Sequence, residues 1–165
     1  MSDSRVLVYG YGNPGRQDDG LGVEFVTMVE NENYTRVDCD SNYQLNVEDA
    51  LTVSRYDTVI FVDASLNARA PFEFLSIQPS NEISFTTHAM SAQSVLALCE
   101  ELYGKRPAAY MLGIRGYEWD PGIGLTAMAK SNLKKAFDFI NALLNDSSTD
   151  ALERAVEKYS GCVTC

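Results

Sequence analysis

Thr58-Val-Ile-Phe-Val-Asp63 is a short, unbroken apolar run that ends in a carboxylate. A run of this length without polar alternation predicts a strand covered on both faces, as in a parallel sheet. Upstream, Arg5 to Tyr11 reads as a second buried strand. Asp19 to Glu30 carries Leu21, Val23, Phe25, Val26 and Val29 at helical spacing. Tyr34 to Cys39 alternates weakly and reads as a strand, and Asn46 to Ser54 reads as a short helix. Downstream, Pro71 precedes the alternating segment Phe72 to Ile77, which suits a sheet edge. Ser91 is placed to cap a helix from Ala92 to Tyr103 that buries Val95, Leu96, Cys99 and Leu102, with Gly104 ending it. Ala108 to Ile114 is another buried strand. Thr126 can cap a long helix to about Leu144, and a short helix from Ala151 to Tyr159 follows the break at Asp146–Asp150.

Strands and helices that alternate in this way predict an α/β domain with a mainly parallel sheet and helices on both faces. Residues 1–145 are expected to form one such domain, with 146–165 a short helix and tail. Ligands of these folds collect at the carboxyl ends of the strands.

The 165 residues are 45% hydrophobic and 22% charged, with a formal net charge of −10. A field of that sign repels a phosphate backbone, so nucleic acid is not an expected partner. No apolar run approaches the ~20 residues that cross a bilayer, and no basic-then-apolar leader opens the sequence. A cytoplasmic protein that does not engage membranes is expected. Lys130, Lys134 and Lys135 read as a solvated helix face. Cys39 and Cys99 read as small core residues, and Cys162 with Cys165 as a C-x-x-C in a frayed tail.

Three residues stand at strand-to-loop junctions. Asp19 follows the first strand and a glycine-rich turn, Asp63 closes the central strand, and His88 is the single histidine, in Phe85-Thr-Thr-His88. Two carboxylates and an imidazole are donors for zinc, nickel or iron. Each has an ordinary reading as well: acids cap helix starts or end strands, and a lone histidine is often structural. Gly10-Tyr-Gly12-Asn-Pro-Gly15 matches G-x-G-x-x-G, the pattern of a dinucleotide-binding turn. Asp18 and Asp19 would then sit where a diphosphate binds, so a turn that aims Asp19 at a site is favoured, with a plain connecting turn as the other reading. A serine triad of His88, Asp63 and either Ser65 or Ser91 has no supporting motif around the serine.

Taken together, Val8-Tyr-Gly-Tyr-Gly-Asn-Pro-Gly-Arg-Gln-Asp-Asp-Gly-Leu-Gly22, Val59-Ile-Phe-Val-Asp-Ala64 and Thr87-His-Ala-Met-Ser91 resemble three ordered blocks of the [NiFe]-hydrogenase maturation endopeptidases. Ile114-Arg-Gly-Tyr-Glu118 and Gly124-Leu-Thr126 resemble the family's late strand and last helix start, so that the similarity spans roughly residues 5 to 144. The resemblance implies a three-layer α/β/α sandwich around a twisted, mainly parallel sheet. It implies an endopeptidase that removes the C-terminal extension of a [NiFe]-hydrogenase large-subunit precursor after nickel insertion. It further implies that Asp19, Asp63 and His88 are the metal-engaging and catalytic residues; Asn13 and Asp18, beside them in the turn, are expected to position the backbone or substrate. It implies too that the nickel is carried by the substrate, so a metal-free isolated protein is expected, with Cd²⁺ or Zn²⁺ as stand-ins in vitro. A monomer is expected. The competing expectations are a non-catalytic or nucleotide-binding module built on the Gly10-Gly12-Gly15 turn, and a serine hydrolase.

Overall fold

The computed structural model describes residues 4–80, 90–146 and 150–159. The elements, in chain order, are β1 (Val6–Tyr11), a 3-10 turn (Gln17–Gly20), α1 (Leu21–Glu30), β2 (Val37–Asn42), α2 (Asp49–Val53), β3 (Thr58–Ser65), β4 (Phe72–Ile77), α3 (Ala92–Tyr103), β5 (Ala108–Arg115), α4 (Ala127–Asn145) and α5 (Ala151–Tyr159). The strands form one sheet in the order β2-β1-β3-β5-β4. All neighbours are parallel except β4, which runs antiparallel to β5 at the edge. This is a mainly parallel α/β/α sandwich.

Side chains alternate across the sheet and divide the core in two. Val8, Ile60, Val62, Leu112 and Ile114 pack with α1, α4 and Ala155 of α5. Leu7, Tyr9, Val59, Phe61 and Ala109 pack with α2 and α3. β3 pairs on both sides and is buried from Val59 to Val62, as its continuous apolar run requires. The chain has no helix among its described residues long and apolar enough to cross a membrane.

Several boundaries differ from the expected ones for physical reasons. β2 starts and ends three residues late, at Val37–Asn42, because Val37 registers with Val6 of β1. Its last residues, Asp40, Ser41 and Asn42, are exposed, which a strand paired on one side allows. Regular α-helix begins at Leu21 rather than Asp19, after the 3-10 turn. The helix expected from Asn46 is regular only over Asp49–Val53. There the Asp49 carboxylate accepts the Asn46 N–H at 2.6 Å and the buried Tyr9 hydroxyl at 2.9 Å. Leu102 is exposed rather than buried. The connection after α3 folds back over Cys99, whose thiol donates to the Lys105 carbonyl at 3.4 Å, and the last helical turn projects beyond it.

Candidate active site

The carboxyl ends of β1 and β3 are brought together by close backbone approach. A Cβ on Gly10 would lie 2.1 Å from the Gly22 carbonyl oxygen, and one on Gly22 would lie 2.5 Å from that of Val62. The start of α1 is thereby laid directly over β1 and β3. Gly12 has φ +138°, and a side chain there would strike the Asp19 carbonyl at 2.1 Å. The turn therefore needs glycine to fold back and bring Asp19 to the rim.

Asp19 is held by the backbone it folds over: its Oδ2 accepts the Asn13 N–H at 2.8 Å. The Asn13 side chain in turn accepts the Gly15 N–H at 2.8 Å. Asp63 stands on β3 directly after Val62, which registers with Gly10. Asp63 and Tyr11 consequently share the sheet face that carries Tyr9 and Phe61. Burial first and the charge of Asp19 second push the Asp63 carboxyl up to about 7, against the opposing effect of the Ala64 N–H and the Tyr11 hydroxyl. Tyr11 is itself held well above its ordinary value, by burial first and by the Asp63 charge second.

Asp18 and Asp19 are neighbours with opposite duties. Asp18 is fully buried. Its carboxylate accepts the N–H groups of Tyr117, Glu118 and Thr126 at 2.8, 3.2 and 2.8 Å, and the Thr126 hydroxyl at 2.8 Å. Burial would raise its pKa, but these bonds override that and hold it below the ordinary value. Neither acid caps the helix that follows, where no side-chain cap bond forms. The glycine turn is thus tied to the loop between β5 and α4. Arg16 adds two bonds to the Trp119 carbonyl at 3.2 and 3.1 Å, and Gly122 donates to the Gly15 carbonyl at 2.8 Å.

His88 lies outside the described residues, as do Cys162 and Cys165. Among the described residues no group of three or more His, Cys, Asp or Glu side chains is gathered as a metal site. The structure brings together Asp19, Asp63 and the backbone of Asn13, with Asp18 anchoring from beneath. Tyr11 adjoins the candidate site and was not singled out from the sequence. Its signal was alternation within β1: it shares the face of Tyr9 and sits one residue past the partner of Val62.

The groups that the competing arrangements would use are engaged within the protein. The backbone N–H groups of Gly12, Asn13, Gly15, Arg16, Gln17, Asp18 and Asp19 all donate within the protein. A diphosphate-binding turn must instead present such groups to its ligand. Ser65 Oγ accepts from the Asn67 and Ala68 N–H groups at 3.3 and 2.9 Å, shaping a turn. Ser91 Oγ caps α3 by accepting the Ser94 N–H at 3.0 Å. A larger cavity of about 580 Å³ lies between α4 and α5, around Phe139 and Ala155, and Asp63 does not line it. A smaller one, about 200 Å³, has Asp63 in its wall.

No family model and no curated protein sequence matches the chain. Solved structures do. The [NiFe] hydrogenase maturation protease HycI from Thermococcus kodakarensis KOD1 aligns with a TM-score of 0.70 and 19% identity, over 87% of this chain and 94% of its own. The hydrogenase maturating endopeptidase HybD from E. coli aligns with a TM-score of 0.69 and 24% identity, over 87% and 94%. The hydrogenase 2 maturation peptidase from a Thaumarchaeota archaeon aligns with a TM-score of 0.63 and 21% identity, over 86% and 99%. The chain has the fold of the [NiFe]-hydrogenase maturation endopeptidases.

Proposed function

We propose that this chain is a hydrogenase-maturation endopeptidase that removes the C-terminal extension of a [NiFe]-hydrogenase large-subunit precursor once nickel is in place. The observation that carries this reading is the placing of Asp19 beside Asp63 at the carboxyl rim, with the charge of one raising the pKa of the other. Like charges set together in a partly buried site repel, and a cation relieves the repulsion. The shared fold and the resemblance of the three sequence blocks point to the same cation, nickel held by the substrate. Carboxylate oxygens, with the His88 imidazole as third donor, are chemically suited to it. Cd²⁺ or Zn²⁺ would serve as stand-ins. Asp19, Asp63 and His88 would hold such a metal, which would supply Lewis-acid chemistry toward the scissile carbonyl or a water.

The protein's own residues set the geometry. The Asn13 N–H fixes the Asp19 carboxylate, and Asp18 holds the β5–α4 loop against the glycine turn so that Asp19 does not drift. The Tyr11 hydroxyl favours the ionised form of Asp63. The chain acts as a monomer on a folded client, with the scissile peptide lying along the rim.

The test is processing of purified nickel-loaded precursor, followed by mass spectrometry of the released C-terminal peptide. Asp19→Ala, Asp63→Ala and His88→Ala should each lower the rate by about a hundredfold or more, the usual consequence of misplacing a reacting group. Undiminished trimming by all three variants would overturn the reading.

A further inference from the structure

Gly113 lies inside β5, paired with Asp63 of β3 on one side and with Glu73 of β4 on the other. Partners in register present side chains to the same face. Asp63 and Glu73 therefore flank a position that has no side chain. Glycine within a strand weakens it and calls for a reason. Every other described glycine has one: either a positive φ or a Cβ that would come within 3.1 Å of a neighbour. Gly113 has neither, and its added Cβ would meet nothing nearer than Ser65 Cβ at 3.5 Å, an ordinary contact. What the absent side chain leaves is open space, the cavity of about 200 Å³ that also has Asp63 in its wall.

We propose that this cavity seats the substrate side chain adjoining the scissile bond, and that Gly113 determines which side chain fits. The proposal rests on the endopeptidase reading above. Leu75, Met111 and Ala68 supply apolar walls for a side-chain stem. Glu73 accepts the Arg69 N–H at 3.1 Å, which steadies its carboxylate at the end of the cavity away from Asp63. The occupant is therefore a side chain with an apolar stem and a hydrogen-bond-donating end, a pairing that a carboxylate acceptor strengthens. Seated there, it delivers the neighbouring peptide bond to Asp63.

The experiment uses the full chain and the nickel-loaded precursor. Gly113→Ala adds one methyl group in ordinary contact, so it should leave the melting temperature unchanged or raise it. It should nevertheless lower kcat/KM about tenfold, and Gly113→Leu on the order of a hundredfold, the scale on which pocket volume discriminates. Precursors with each residue beside the cut replaced in turn by Ala should include one that Gly113→Leu processes within about threefold of the wild-type protein acting on the same precursor. Processing of the native precursor by Gly113→Leu at the wild-type rate would overturn the subsite and leave the protease reading standing. So would normal melting of both variants with no shortened precursor restoring the rate. Failure of the wild-type protein to cut the precursor would overturn the protease reading and the subsite with it.

Discussion

Asp18 holds Thr126 with both carboxylate oxygens: Oδ1 accepts the Thr126 N–H and Oδ2 its hydroxyl, each at 2.8 Å. This joins the turn after β1 to the cap of α4 across 108 residues of sequence. Thr126 is the N-cap of α4, with its hydroxyl oxygen accepting the Ala129 N–H at 3.2 Å. The glycine turn that carries Asp19 is thus fastened to the helix on the α1 side of the sheet, by a buried acid that accepts four hydrogen bonds from Tyr117, Glu118 and Thr126.

Replacing Asp18 by Asn removes the charge and an acceptor, leaving buried N–H groups of the 117–126 loop short of partners. Unsatisfied buried donors cost about 1–3 kcal/mol each, so a loss of about 3 kcal/mol is expected. In a chain of this length that lowers Tm by roughly 6–12 °C. The Asp18 pKa is lowered in the folded state. Its contribution is therefore complete above the unfolded pKa and disappears as pH falls through the folded one. Thermal melts should show the gap between wild type and Asp18→Asn closing on acidification. A gap that is constant with pH would show that the charge is not what holds the loop.

Thr126 and Ser91 cap their helices in the same way, but only Thr126 also donates to a buried carboxylate. Ser91→Ala should cost about 1 kcal/mol, the ordinary value of a cap. Thr126→Ala should cost about 2 kcal/mol, since it also removes a charge-assisted bond. In an Asp18→Asn background the excess should shrink, giving a coupling of about 1 kcal/mol in a double-mutant cycle. Additive effects would mean that the two residues act independently.

What could be read in the sequence was what local pattern encodes. The run Val59–Val62 has one plausible environment, and the caps at Ser91 and Thr126 announce their helices. The polar end of β2 was hidden because an edge strand draws its stability from backbone pairing with β1 and leaves Asp40 to Asn42 free to be polar. Asp18 looked like a helix cap because acids at helix starts usually are. Its true partners lie about a hundred residues downstream, where no local rule reaches. The approach of Asp19 to Asp63 and the place of Tyr11 depend on the register of β1 against β3, which alternation suggests but does not determine. Gly113 reads as nothing in a sequence; its meaning emerges only when Asp63 and Glu73 are found on either side of it.

The dependence of Asp63 on its neighbour can be measured directly. Burial is the larger cause of its raised pKa and the charge of Asp19 the next. Asp19→Asn removes the second cause and leaves the first. The Asp63 carboxyl carbon, followed by NMR, should titrate near pH 7 in the wild-type protein and at a lower midpoint, still above the usual carboxylate range, in Asp19→Asn. An unchanged midpoint would mean that the two carboxylates do not sense each other, and the case for a shared cation would lose its support.

Asp63 should also weaken the fold it sits in. Its folded carboxyl keeps its proton to about pH 7, whereas the unfolded one releases it near 3.8. Between those values the folded state binds more protons, so this residue's contribution to stability falls as pH rises through the window. Below it both states are protonated and the residue is neutral in effect. Asp63→Asn carries no charge to desolvate. It should be more stable than wild type by about 2–4 kcal/mol at pH 8, the cost of ionising a carboxyl held up to about 7 less what solvent relaxation recovers. The difference should vanish near pH 4. The same variant should fail to trim the precursor, because the strain removed is what a cation would relieve. A lower Tm for Asp63→Asn at pH 8 would contradict this, and would mean that the carboxylate stabilises the fold.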